Sequence, residues 1–327
     1  MKKLLILFFV IAVLTTIPFQ QASAAERLIF DTYPEGGALY SLGASLVTLV
    51  NRYTDIKATV QGVGPPLKWR TFMESKEVDM GSSSSADFMW AYHAIGPFEG
   101  KPRWKQLRLV QIGFDIYRVV YTRKADNIQN ISDLKGKTIG AINPGSPGIT
   151  LSGLAILEAA GITKENSKIV SFPSPSEAAA ALIEGRMDAF TYGMTSVWQE
   201  VERAVGCRIV PMTPEQQEKA SEIQPAYSPG TMPKGLYDYP EAVPCISEVI
   251  AVVARDGVPE DVIYQVDKTL WEHFDEYKAS HPRGKSFSLE RALRKTGLPY
   301  HPGTIKYLKE KGMWTEEWEA YNKKQLQ

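Results

Sequence analysis

Short apolar runs alternate with stretches whose apolar residues recur every three or four positions, through most of this 327-residue chain. Arg27 to Asp31 reads as a strand. After it, Leu39, Leu42, Leu46 and Leu49 fall on one face of a helix over Ala38 to Asn51. Ile56 to Val60 is a second strand, Leu67 to Ser75 a second helix, and Val78 to Gly81 a short buried strand. Leu107 to Phe114 and Tyr117 to Arg123 read as two further strands. Beyond Asn130 the alternation starts again. Lys137 to Ile142 is a strand, Ile149 to Ala160 a helix and Ile169 to Phe172 a strand; Ser176 to Glu184 is an alanine-rich helix and Met187 to Tyr192 a strand. Such alternation predicts an α/β chain with mostly parallel sheets flanked by helices.

The two series share a weak repeat. Glu77-Val78-Asp79-Met80-Gly81 follows a helix in the first, and Arg186-Met187-Asp188-Ala189-Phe190 follows one in the second. Two similarly wound lobes are therefore expected. Gly206 to Glu241 is rich in Pro, Gly, Tyr and charge and shows no clear period. Ser247 to Arg255 is a strongly apolar strand, and Pro259 to Tyr277 an amphipathic helix; Leu289 to Leu293 and Pro302 to Leu308 look helical. We expect the chain to return to the first lobe near Ser247. The lobes are then 25–116 with 249–327, and 117–248, joined by hinge strands at Tyr117 to Thr122 and Val249 to Ala254.

The first 24 residues read as a cleavable export signal: Lys2-Lys3, an apolar stretch from Leu4 to Ile17, and Ala22-Ser23-Ala24 before Ala25. The apolar stretch is too short for a comfortable membrane span. Formal charge is +0 for the full chain, and removing Lys2 and Lys3 leaves about −2. Without a basic stripe, nucleic-acid binding lacks its electrostatic footprint. Cys207 and Cys245 would meet an oxidising compartment, and two readings stay open: a disulfide, or two separate buried thiols.

Two glycine-bearing turns each open a helix after a strand. One runs from Tyr33 through Gly36, Gly37 and Ala38 to Tyr40; the other runs from Asn143 through Ser146 and Gly148 to Thr150. Glycine lets backbone approach a ligand, and a helix start offers free N–H groups to an anion. The same glycines also serve as plain turn and capping residues. Ser82 to Ser85 follow a strand at the end where ligands lie in open α/β sheets, or they cap the helix holding Phe88 to Tyr92. Ser83 and Ser84 are the ligand candidates there, and Tyr192 with Gly193 holds the matching place in the second series. Arg118 interrupts an apolar strand; it either forks onto a ligand carboxylate or forms a structural ion pair. Trp69 follows Gly64-Pro65-Pro66 and either lines the cleft mouth or belongs to the core.

Enzyme signatures are poor. Ser146-Pro147 stands where a phosphate-binding loop needs Lys-Ser or Lys-Thr. Ser132-Asp133-Leu134-Lys135 has an acylase-like spacing without companion motifs and reads as a helix cap. The four histidines, His93, His273, His281 and His301, show no metal-ligand pairing, and His273 reads as a solvated helix residue. No cofactor, metal or catalytic residue is expected.

An ordered set of segments resembles the TAXI family, the immunogenic-protein-type solute receptors of TRAP transporters. It comprises Gly36 to Gly43, Ile131 to Ile139, Pro144 to Gly148, Glu177 to Phe190, Val258 to Tyr264 and His301-Pro302-Gly303. The resemblance implies a two-lobed periplasmic binding protein that closes on a small organic anion of carboxylate type, such as glutamate or 2-oxoglutarate. It implies TRAP membrane subunits as partners and a periplasmic location; we expect a monomer. An ABC-type receptor of the same fold class is one alternative, and an exported enzyme on this fold is another. Ala38-Leu39, Gly64-Pro65-Pro66, Ser84-Ser85-Ala86-Asp87 and Arg118 depart from the family pattern and point away from glutamate itself.

Overall fold

The structure, a computed structural model, describes residues 26–33, 35, 38–63, 66–144 and 146–327, and of 66–69 the main chain only. The expected export signal, Gly36, Gly37, Gly64, Pro65, Gly145 and the Trp69 side chain lie outside the described residues.

The first lobe begins with β1 (Arg27–Asp31), α1 (Ala38–Tyr53), β2 (Lys57–Gln61), α2 (Pro66–Glu74), β3 (Met80–Ser84) and α3 (Ser85–His93). Helix α1 buries Leu42, Leu46, Leu49 and Val50, the stripe its sequence spells out. A single strand, β4 (Leu107–Arg123), then carries the chain across. The second lobe follows with β5 (Thr138–Ile142), α4 (Pro147–Ala159), β6 (Lys168–Ser171), α5 (Pro175–Ile183), β7 (Ala189–Gly193), α6 (Val197–Val205), β8 (Cys207–Val210), α7 (Pro214–Ile223) and β9 (Ser228–Met232). Strand β10 (Val243–Arg255) returns, and α8 (Glu260–Glu272), α9 (Phe274–Ala279), α10 (Pro302–Glu310) and α11 (Glu316–Leu326) complete the chain.

Each lobe pairs its own strands in parallel: β1 sits between β2 and β3, and β5 between β6 and β7. The crossing strands β4 and β10 run antiparallel to each other and along both parallel groups. One sheet order, β2-β1-β3-β10-β4-β7-β5-β6, therefore links two lobes through two shared strands.

The weak repeat has a structural meaning. Asp79 accepts the Ile29 N–H at 2.9 Å, fastening the strand into β3 to the first strand of lobe one. Asp188 accepts the Thr138 N–H at 2.8 Å and does the same before β7 in lobe two. An arginine from the far end of a crossing strand meets each: Arg255 with Asp79 at 2.7 Å, Arg123 with Asp188 at 3.6 Å.

Several expectations need correction. Leu107 to Phe114 and Tyr117 to Arg123 are one strand. Asp115, which interrupts the apolar run, points its carboxylate to Arg291 at 2.7 Å and Arg294 at 3.2 Å. The buried strand expected at Val78 to Gly81 is shifted to Met80–Ser84, because β10 pairs with it as far as Ile250 opposite Ser84. Ser82, Ser83 and Ser84 are thus part of the strand rather than beyond it. The helix expected over Pro259 to Tyr277 breaks at His273, whose ring stacks on Tyr53 at 3.5 Å between centroids instead of standing free in solvent. The aperiodic segment from Gly206 contains β8, α7 and β9; α7 is set by a capping box in which Thr213 accepts from Gln216 N and Gln216 reaches back. Cys207 and Cys245 are both free and buried, so of the two readings it is that of separate thiols that holds.

Candidate functional site

The crossing strands bring two opposite charges into the middle of an apolar sheet. Arg118 lies opposite Ile246, and Glu248 lies opposite Ile116. Directly opposed residues share a face, and so do residues two apart, so Arg118 and Glu248 are diagonal neighbours on one face. Arg118 Nε donates to Glu248 Oε1 at 3.0 Å, and Nη2 donates to the same oxygen. Ser84, at the end of β3, donates to Glu248 Oε2. The Arg118 side chain is 9 % exposed and that of Glu248 0 %. At such burial neither charge is tolerable alone, and the pair is what makes both admissible. Burial is the largest single influence on Arg118 and works against its charge, but Glu248, Tyr227 and Asp87 together outweigh it and hold the guanidinium's pKa above its ordinary value.

Both lobes add to this pair. From lobe one, the Tyr33 hydroxyl lies 3.4 Å from Ser83 Oγ, and Ser83 Oγ donates to Asp87 Oδ2 at 3.5 Å. Both are long contacts. Below them Thr32 and Ser82 share a hydroxyl contact of 3.1 Å. From lobe two, the Tyr227 ring lies 5.9 Å from the Arg118 guanidinium, and its hydroxyl donates to the Gly148 carbonyl at 2.8 Å. Gly193 has its Cα face to Arg118: a Cβ there would stand 3.6 Å from Nη1. Tyr192, next to it, packs edge-on against Phe172 at 6.2 Å. Trp90 of α3 meets Tyr227 edge-on across the seam at 6.1 Å.

The carboxyl of Asp87 is pushed up to about 7, first by burial and then by the neighbouring charge of Glu248. Burial, with Asp87 second, pushes Tyr33 up to about 12. The site therefore holds one guanidinium and two carboxyl groups, one of which titrates near neutrality. On the other side of Glu248 a cavity of about 200 Å³ opens, lined in part by Ser85, Ser247 and Arg294.

The sequence candidates divide. Tyr33, Ser83, Ser84, Arg118, Gly148 and Gly193 lie within this constellation, and Tyr192 borders it. Ser146 caps α4, accepting from Ile149 N at 3.4 Å. The Thr150 hydroxyl closes the same turn, accepting from Asn143 N at 2.9 Å and donating to Asn143 O at 3.0 Å. Tyr40 spends its hydroxyl on Glu35 at 2.9 Å, and Ala38 opens α1 with only a methyl group to offer. Gly36, Gly37 and the Trp69 side chain are outside the described residues. Asp87, Tyr227 and Glu248 were not among the ligand candidates, although Asp87 lies in a segment that departs from the family pattern. Glu248 carried the signal that picked out Arg118, a charge in an apolar strand.

The hydroxyls of the constellation donate to carboxylates, Ser83 to Asp87 and Ser84 to Glu248. The histidines are occupied elsewhere: His93 Nε2 lies 2.8 Å from the Gly297 carbonyl, and His301 Nε2 3.1 Å from that of Val258. Among the described residues no group of three or more His, Cys, Asp or Glu is placed to hold a metal ion. No described helix is long and apolar enough to cross a membrane.

Solved structures share the architecture. The TctC solute-binding protein from Polaromonas is 12 % identical with a TM-score of 0.55, over 80 % of this chain and 90 % of that one. The periplasmic sulfonate-binding protein SsuA from Methylobacillus flagellatus is 16 % identical with a TM-score of 0.53, over 88 % and 96 %. A Xanthomonas citri protein solved with ATP is 14 % identical with a TM-score of 0.52, over 92 % and 98 %. At these identities the likeness is one of fold, the two-lobed periplasmic solute-binding fold. Residues 30–312 match the family model described as NMT1-like, and with most of the chain so matched, the protein belongs to the NMT1-like family.

Proposed function

We propose that this chain is an extracytoplasmic solute receptor of the TAXI type, which closes its lobes on a small organic acid and presents it to TRAP membrane subunits without chemical turnover. One observation carries the reading: side chains from both lobes converge on the Arg118–Glu248 pair at the crossing strands. Glu248 uses Nε and Nη2 of the guanidinium, and Nη1, beside Gly193, meets no acceptor among the described residues. That nitrogen and the N-terminal turn of α4 are the groups we assign to the solute's acid oxygens. The lobe boundaries we propose, 116/117 and 248/249, support hinge motion there, because Ile116 and Glu248 face each other across the ladder.

A second reading, an ABC-type receptor, draws on the likeness in fold to the sulfonate-binding SsuA. The two readings differ in the membrane partner and agree on the cleft. Calorimetry against a panel of carboxylates and sulfonates, with small-angle scattering to detect closure and product analysis to detect turnover, tests the shared part. Closure on an organic acid that is recovered intact is the expected result. Consumption of the solute by pure protein would rule out both readings. Reconstitution with TRAP-type membrane subunits then separates them.

A further inference from the structure

Asp87 stands where the lobes meet, and among the described residues no cation pairs with it. Among those residues its Oδ2 accepts only the long contact from Ser83, and a Cβ built on Gly148 of the facing lobe would lie 3.6 Å from its Oδ1. The titratable and charged groups around it are Tyr33 from the turn after β1, Arg118 from β4, Tyr227 from the segment before β9, and Glu248 from β10. From the α4 terminus Gly148 faces it with no side chain. Arg118 is the cation among these, and Glu248 already engages it through two nitrogens. With both carboxyls ionised the site carries one net negative charge, so an arriving acid group meets repulsion. With Asp87 protonated the site is neutral, and its O–H becomes a donor aimed into the seam.

We propose that Asp87 determines specificity at the solute site by taking up one proton from solvent as the solute's acid group docks beside Arg118, and donating it in a hydrogen bond to that group. This rests on the reading of the solute as an organic acid. A carboxyl donating to an acid oxygen makes a short, charge-assisted hydrogen bond, and it removes the like-charge repulsion in the same step. The position of Asp87 on the titration scale agrees: burial and Glu248 together bring it to about 7, so the proton is gained at little cost at neutral pH. Solutes that offer only hydrogen-bond donors at this position gain nothing from the protonated form.

The test uses 2-oxoglutarate, glutamate and ethanesulfonate as probes, titrated by calorimetry at pH 6 and pH 8 in buffers of different ionisation heat. For each probe that binds, the expected result is a Kd about tenfold weaker at pH 8, with proton uptake approaching one per solute there. Asp87→Asn keeps a donor without a titrating proton; its Kd should be the same at pH 6 and pH 8, and it should take up no proton. A flat wild-type profile, tighter binding at pH 8, or a slope that persists in Asp87→Asn overturns the inference while leaving the organic-acid reading in place. Failure of all three probes at both pH values overturns that reading and the inference together. Carboxyl-labelled NMR of the wild type gives a measurement independent of the variant. The Asp87 resonance should titrate near neutrality and move to higher pH on loading with a probe, and titration in the ordinary carboxylate range would overturn the proposal.

Discussion

Arg118 and Glu248 lie diagonally across the two strands that join the lobes, with Nε of one 3.0 Å from Oε1 of the other and both side chains buried. The pair sits on the two strands, β4 and β10, that lie between the two parallel groups of the sheet. It also fixes the ladder at the proposed hinge, where Ile246 faces Arg118 and Ile116 faces Glu248.

Removing one partner strands the other in an apolar setting. Glu248→Gln is expected to lower stability by about 3–5 kcal/mol, read from urea denaturation. Replacing both, Arg118→Met with Glu248→Leu, should recover most of the loss, since the charges cost solvation as well as contribute attraction. Binding of the solute should be lost in the double variant, which lacks the Arg118 guanidinium. If the double variant is no more stable than Glu248→Gln alone, the pair is not the source of the effect.

The alternation of elements and the two-lobed architecture were legible because each lobe's own strands are short, parallel and apolar. The crossing strands were less so. Asp115 broke the pattern of β4, although its charge is met from outside the sheet by Arg291 and Arg294, neither of which any local period reveals. Half the site was legible for a simple reason: serines at a strand end, glycines at helix starts and one arginine in an apolar run are local signals. Tyr227 comes from a segment without period, and its role depends on reaching Gly148, 79 positions away. Asp87 looks like any polar residue in the first turn of a helix until the facing lobe is placed against it.

The two cysteines give a direct check on the fold of lobe two. Burial pushes both the Cys207 and the Cys245 thiol up to about 12. Thiols this far from ionisation are poor nucleophiles, because the thiolate is the reactive form. The native protein should resist alkylation, two thiols should appear after denaturation, and reductant should leave the melting temperature unchanged. A mass deficit of two hydrogens would instead establish a disulfide.

Asp267 sets a pH dependence of stability. It is buried on α8, accepting from Thr304 at 2.6 Å and Gln111 at 3.0 Å, and burial pushes its carboxyl up to about 7. The unfolded chain releases that proton near 3.9. Between these values the folded chain holds a proton that the unfolded chain has lost. The contribution is therefore full below about 4 and lost as pH rises through about 7. At about 1.4 kcal/mol per pKa unit, the swing is about 4 kcal/mol at most. Burial holds His301 down at about 4, which acts in the opposite sense as pH falls below about 6.5, but His301 is common to both proteins and cancels in a comparison. Asp267→Asn should therefore gain on the wild type between pH 4.5 and pH 8 in urea midpoints. An equal gap at both pH values would place the Asp267 titration elsewhere.

Gly148 tests whether the seam closes around the solute. A Cβ there would meet Asp87 Oδ1 and Tyr227 Oη at 3.6 Å and Trp90 Cζ3 at 3.7 Å, all ordinary contacts. Gly148→Ala is therefore expected to fold and bind, with any gain in helix propensity limited to about 1 kcal/mol. An indole has no such room. In Gly148→Trp the ring must enter the seam between α3 and α4, and each lobe can keep its own core only if the lobes stand apart. The expected result is a folded protein with a larger radius of gyration that no longer contracts with solute, and affinity reduced at least a hundredfold. Unchanged affinity in Gly148→Trp would mean that the solute is held away from this seam, and that the convergence on Arg118 and Glu248 serves the hinge alone.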